Sequence, residues 1–177
     1  LPMLSEVSSV IEYCDISLNS ELKTIRALNE AASLKKKVHS IILMVDLGDL
    51  REGMLPEEVS AAVSEILKLE NINLMGIGTN LTCYGGVIPD EKNLGLLVEL
   101  KNRLEGQFKI KLPLISGGNS SSLPLMMEGK IPEGINNLRI GEAIALGRET
   151  AYGKNILGLF TNAFILRGEI IELKEKN

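Results

Sequence analysis

The sequence predicts an α/β fold built on a parallel sheet, and two patterns predict it. Short apolar segments alternate with amphipathic helical segments at intervals of about 25 to 35 residues. The short segments are apolar throughout instead of alternating apolar with polar, as strands covered on both faces are. A third pattern, glycine- and hydroxyl-rich turns directly after two of these segments, marks where the sheet would carry its chemistry.

The elements follow in order. Ser5 can cap a short helix with Val7, Val10 and Ile11 on one face, and residues 15–18 read as the first strand. Asn19 and Ser20 offer caps for a helix whose stripe is Leu22, Ile25, Leu28 and Ala32. It ends at Lys35-Lys36-Lys37, which suits the negative end of the helix dipole. The second strand spans residues 40–45. Pro56 in a first turn, followed by Glu57 and Glu58, starts a third helix with Val59, Ala62, Val63, Ile66 and Leu67 on one side. Residues 72–79 form the third strand, and a long loop passes through Tyr84, Gly85 and Gly86. Asp90 caps a fourth helix carrying Leu94, Leu97, Val98 and Leu104, and Gly106 can end it. A strand at residues 112–115, a short helix ending near Gly129 and a strand at residues 138–140 complete the series, about five strands in all.

Residues 156–173 change character: apolar positions lose the helical period, and Gly168-Glu169-Ile170-Ile171-Glu172-Leu173 reads as a β-strand. The expected domains are therefore an α/β unit over residues 1–150 and, over 151–177, a linker with the first strand of a β domain. The chain opens at Leu1-Pro2-Met3-Leu4, which reads as the interior of a longer protein.

Composition narrows the function. The chain has 177 residues, 45% of them hydrophobic, and a net charge of −4, enough apolar material for a core. No basic stripe with interleaved aromatics points to nucleic acid, and no apolar run approaches the roughly twenty residues of a membrane span. Two cysteines, Cys14 and Cys83, have neither disulfide density nor metal spacing and suggest a reducing, cytoplasmic setting.

The chemistry concentrates in two loops. Ser116-Gly117-Gly118-Asn119-Ser120-Ser121-Ser122 follows an apolar strand and opens a helix. Its glycines can turn amides toward an anion and its hydroxyls add donors, although an ordinary strand-to-helix turn with a capping serine reads the same way. About twenty residues on, Asn137-Leu138-Arg139-Ile140 runs into Gly141-Glu142-Ala143. On neighbouring parallel strands the two loops would hold one phosphate between them, as the last two loops of a (β/α)8 TIM-type barrel commonly do. Asp46, Asp49, Arg51 and Glu52 read as a loop ion-pair cluster, and Arg139 alone as a strand-end arginine in an ion pair. His39, the only histidine, lies at a strand's N-terminal end, away from that chemistry. Cys83 and Tyr84 lie after a strand where they could line a pocket.

Taken together, Met44-Val45-Asp46-Leu47-Gly48-Asp49-Leu50-Arg51-Glu52-Gly53, Gly76-Ile77-Gly78-Thr79-Asn80, the loop 116–122 and Asn136-Asn137-Leu138-Arg139-Ile140-Gly141-Glu142 resemble, in order and spacing, the motifs of the alanine racemase family, and most of all its alanine/ornithine racemase-like branch. The resemblance implies an incomplete (β/α)8 barrel, the cofactor pyridoxal 5'-phosphate, a small amino acid substrate and a homodimer. It implies that Arg139 faces the pyridine nitrogen, that Ser120, beside Asn119, binds the phosphate with the amides of Gly141 and Glu142, and that Arg51 lies near the cofactor's phenolic oxygen and the substrate carboxylate. Asn80 stands where many members place a histidine against the ring, and Met44 where several have a carbamylated lysine. Both departures favour an amino acid other than alanine, such as ornithine or lysine. The family's Schiff-base lysine stands ahead of these motifs and its tyrosine base in a later domain, so this stretch by itself is expected to be inactive. Two alternatives remain: a non-catalytic pyridoxal phosphate-binding barrel, and a phosphate-binding barrel enzyme of another class with Asp46 as a base.

Overall fold

The structure, a computed structural model, describes residues 1–82 and 86–175. Its centre is a four-stranded, all-parallel sheet in the order β1-β2-β3-β4, formed by β1 (Ile16–Asn19), β2 (His39–Met44), β3 (Ile72–Thr79) and β4 (Leu114–Gly117). The connections carry α2 (Leu22–Leu34), α3 (Val59–Ile66) and α4 (Glu91–Phe108), after α1 (Val7–Tyr13) at the start. Two short helices, α5 (Leu123–Met127) and α6 (Glu142–Leu146), follow the sheet. No helix among the described residues is long and apolar enough to cross a membrane.

Register explains the two faces. Leu43 lies beside Ile77, and Ile77 beside Ile115. All three are buried in one cluster with Ile25 and Leu28 of α2, Val59, Val63 and Ile66 of α3, and Leu97 and Leu104 of α4. Each such aliphatic side chain contributes about 1.5–3 kcal/mol when fully buried, so this layer holds the sheet. The next row, Met44, Gly78 and Ser116, faces the other way. A cavity of about 350 Å³ opens beside it, lined by Leu1, Leu18, Met44, Arg51 and Glu52.

Local signals placed most boundaries. Asp90 caps α4, its side chain accepting from the Asn93 amide at 2.6 Å, while Asn93 Oδ1 accepts from the Asp90 amide at 3.0 Å. Three expectations need correction. The helix does not stop at Gly106 but runs on to Phe108, which packs against the core, and Lys109 ends it in the left-handed region at φ 56°. The N-cap of α2 is Glu21, without a side-chain cap bond, instead of Asn19 or Ser20: Asn19 is the last residue of β1 and its amide is spent on Ser17. Residues 138–140 are not a fifth strand. Asn137 makes a single parallel bridge to Ser116 and the ladder stops there: the Gly117 carbonyl that the next rung would use accepts from Ser122 Oγ at 2.7 Å, and the Arg139 amide donates instead to the Gly118 carbonyl at 2.9 Å. The described sheet is thus an open arc instead of a closed barrel.

Residues 156–175 contain no helix or strand, so the strand expected at 168–173 is absent from this structure. An alternating apolar segment forms a strand only against a neighbour, and this one has its side chains in solvent, Leu157 at 98% and Leu166 at 99% exposure.

Candidate functional site

Parallel strands put the loops after β2, β3 and β4 at one edge, and the polar groups of the chain gather there. The loop after β2 is shaped by Asp46, whose Oδ1 accepts from the amides of Gly48 at 2.8 Å and Leu50 at 3.2 Å. It is tied back by a bridge in which the Asp46 amide donates to the Met54 carbonyl at 2.9 Å. Gly53 makes that return possible: its φ is +123°, and a Cβ there would lie 2.4 Å from the Asp46 nitrogen. Asp46 therefore builds the loop that presents Arg51 and Glu52.

Arg51 and Glu52 form a two-bonded pair. Arg51 Nε donates to Glu52 Oε2, and Nη2 donates to Oε1 at 2.8 Å. Asn80, at the end of β3, donates from Nδ2 to the same Oε1 at 3.0 Å. Its Oδ1 accepts from Asn119 Nδ2 at 2.6 Å, and Asn119 also donates to the Leu81 carbonyl at 3.1 Å. Asn119 Oδ1 in turn accepts from the Ser121 amide at 2.7 Å. One chain of hydrogen bonds thus runs through three loops. The Arg51 hydrogen bond is the main reason that the Glu52 carboxyl is held below its ordinary value, against the opposing effect of burial.

The loop after β4 turns back on itself. Gly118 has φ +111°, a Cβ on it would approach Ser122 Oγ to 2.7 Å, and Ser122 Oγ donates to the Gly117 carbonyl at 2.7 Å. This leaves Ser120 buried with its Oγ accepting from the amides of Gly141 at 3.4 Å and Ala143 at 3.1 Å. The amides that converge are those of Gly141 and Ala143, where Gly141 and Glu142 were expected. The Glu142 side chain is 48% exposed and lies 4.0 Å from Arg148 Nε.

Arg139 spans the same edge. Its Nη2 donates to the Thr79 carbonyl at 2.8 Å and its Nη1 to Ser116 Oγ, which itself donates to Asn137 Oδ1 at 2.6 Å. Burial pulls the guanidinium below its ordinary value, and the nearby Glu52 charge opposes that. No ion-pair contact of Arg139 is among those described.

Every residue singled out from the sequence and described here, Arg51, Asn80, Asn119, Ser120, Arg139, Gly141 and Glu142, lies on this edge. Cys83 and Tyr84 fall outside the described residues. His39 begins β2, at the sheet's other end, as expected. Lys130 pairs with Glu128 at 2.7 Å, and Lys154 lies 5.3 Å from the Tyr152 ring, so both amines are engaged elsewhere. The ion pair of Glu52 with Arg51 was legible in the sequence as part of a loop cluster and is present. Ser116 and Asn137, which orient Arg139, lie inside quoted motifs but carry no separate signal.

Residues 2–149 match the family described as alanine racemase, N-terminal domain. The chain is similar to an ornithine racemase of Acetoanaerobium sticklandii, with 55% identity over 177 residues, 99% of this chain and 50% of that protein. It is also similar to a lysine racemase of Thermotoga maritima, with 41% identity over 176 residues, 99% of this chain and 49% of that protein. It spans about half the length of these curated relatives. Among solved structures, PipY of Synechococcus elongatus PCC7942 with PLP bound has a TM-score of 0.62 at 16% identity, covering 80% of this chain and 65% of that one. Alanine racemase of Clostridium difficile 630 has a TM-score of 0.65 at 19% identity, covering 80% and 38%. These structural likenesses concern the fold alone, yet they agree with the sequence match and with the loops that close on Arg139 and Ser120: the chain belongs to the alanine racemase N-terminal domain family.

Proposed function

We propose that the intact protein is a pyridoxal phosphate-dependent amino acid racemase acting on a cationic amino acid such as ornithine or lysine. The observation that carries this is the convergence, on one edge of a parallel sheet, of an amide-and-hydroxyl cradle with a buried arginine, in a chain 55% identical to an ornithine racemase over its length.

The residues fit the cofactor. Ser120 Oγ lies at the focus of two amides, Gly141 and Ala143, the donor set that suits a phosphate oxygen. A Cβ on Gly141 would meet nothing within 4 Å, so this side of the cradle is open. Arg139 is a donor that keeps its proton. Toward a pyridine nitrogen it would donate a hydrogen bond without transferring the proton, which leaves the ring a weaker electron sink and favours simple racemisation over side reactions. Bound pyridoxal phosphate would supply the electron sink for the charge left when the α proton departs. Arg51 offers a planar guanidinium for the substrate carboxylate, and Asn119 and Asn80 hold the loops around it.

Titrating the intact protein with pyridoxal phosphate tests the reading: a saturable absorbance band that Ser120→Ala weakens supports it, and no binding overturns it. Binding without inversion of any amino acid would favour the non-catalytic carrier instead. A homodimer in the cytoplasm belongs to the same proposal. Strand β1, which has β2 as its one neighbour in the described sheet, supplies an edge for association, and sedimentation of a monomer at all concentrations would count against the dimer.

A further inference from the structure

Glu52 has no role in the reading above, yet it is the most connected carboxylate on the edge. It receives Nε and Nη2 of Arg51 and the amide of Asn80, and its side chain is only 16% exposed, against 42% for Arg51. An adjacent carboxylate could have pointed to water; this one faces inward and lines the cavity of about 350 Å³ together with Arg51, Leu18 and Met44.

We propose that Glu52 is a positioning residue: it grips the Nε–Nη2 edge of Arg51, fixes the plane of that guanidinium toward the cavity, and ties it through Asn80 and Asn119 to the loop that holds Ser120. The inference rests on the racemase reading for the identity of the ligand, an amino acid carboxylate at Arg51, but the pairing stands on the geometry. A free arginine side chain carries about 2 kcal/mol of rotamer entropy. Ordering it before the substrate arrives removes part of that cost from binding. Asn80 makes the arrangement directional. Its Nδ2 serves Glu52 while its Oδ1 accepts from Asn119, so a shift of the Glu52 carboxylate is felt at the amide of Ser121, next to the phosphate-binding serine.

The test uses the intact protein with Glu52→Gln and Glu52→Asp. Glutamine keeps the size but offers one acceptor oxygen and sets an NH2 group against the guanidinium. In the cofactor-free protein, the Arg51 Nε–H resonance, assigned by its disappearance in Arg51→Lys, is expected to be resolved and slow to exchange in the wild type and to be lost or to collapse to the exposed-arginine position in Glu52→Gln. With the cofactor bound, KM for the amino acid is expected to rise about tenfold or more in Glu52→Gln with kcat changed less, as loss of a charge-assisted pair implies. Glu52→Asp is expected to recover part of both signals. An unchanged Nε–H resonance in Glu52→Gln, or a wild-type KM in that variant, overturns the proposal. If Glu52→Gln does not fold, an Arg51 resonance and KM in Glu52→Asp indistinguishable from those of Arg51→Lys overturn it equally, and values nearer the wild type support it. Absence of racemisation by the wild-type protein would defeat the racemase reading while the resonance still decides the pairing.

Discussion

His39 and Arg139 belong to opposite ends of the same sheet, and the polar groups around them are organised in opposite ways. At the start of β2, His39 Nε2 and Ser17 Oγ lie 2.8 Å apart, and Asn19 Nδ2, from the end of β1, donates to the same Ser17 hydroxyl at 2.9 Å. All three residues are buried and come from adjacent strands β1 and β2, so their described bonds stay within the sheet, with Asn19 Oδ1 buried and without a partner among the described residues. At the C-terminal end the bonds link loops after three strands and residues far apart in sequence. Of the residues they join, Arg51 and Glu52 line the cavity of about 350 Å³. A polar cluster confined to neighbouring strands serves the fold, and one assembled from several loops at the carboxyl edge serves a ligand.

This contrast breaks if substitutions at the two ends act alike. The largest effect is expected at Arg139: in the intact protein Arg139→Ala should lower kcat/KM for racemisation about 100-fold or more, as loss of a preorganised buried donor does, with a fold that still melts cooperatively. Steady-state kinetics and thermal melting decide it, and near-wild-type turnover would move Arg139 into the structural class. Ser120→Ala should weaken pyridoxal phosphate binding about tenfold, since it removes the hydroxyl proposed to donate to the phosphate beside the Gly141 and Ala143 amides; fluorescence titration reads this directly.

The opposite end should respond in stability and not in turnover. His39→Gln is expected to leave kcat within about twofold and to cost about 1–2 kcal/mol in denaturant unfolding, the range for a disturbed buried hydrogen bond. Burial, its largest influence, lowers the folded-state pKa of His39, with the Asp15 charge opposing. The neutral ring's contribution is therefore present above the unfolded value of about 6.5 and is lost as pH falls from there through the folded value. Wild-type stability should fall over that acid window, and His39→Gln should flatten the slope. The smallest effect is expected at Glu142→Ala: a half-exposed side chain 4.0 Å from Arg148 should matter by less than about 0.5 kcal/mol, and cofactor affinity should not change.

The same contrast explains what the sequence made legible. Apolar runs and helical stripes announced four strands and the helices between them, because one layer of buried aliphatics decides those elements locally. Residues 138–140 carry the apolar character of a strand, whereas the Gly117 carbonyl that would pair them accepts from Ser122 Oγ and the Arg139 amide bonds the Gly118 carbonyl instead. The tail likewise carried a strand pattern whose outcome depends on a neighbour that no local signal supplies. In the site, Ser120 and Arg139 were visible through ordered motifs. Ser116 and Asn137 were not, since their importance arises from a contact across 21 residues of chain that a linear reading does not display.

If this edge holds the cofactor and substrate of an amino acid racemase, as proposed, chiral chromatography of L-ornithine incubated with the intact protein and pyridoxal phosphate will show D-ornithine accumulating toward an equal mixture, dependent on added cofactor and suppressed by Arg139→Ala. Unaltered L-ornithine and L-lysine in the presence of fully bound pyridoxal phosphate would contradict it.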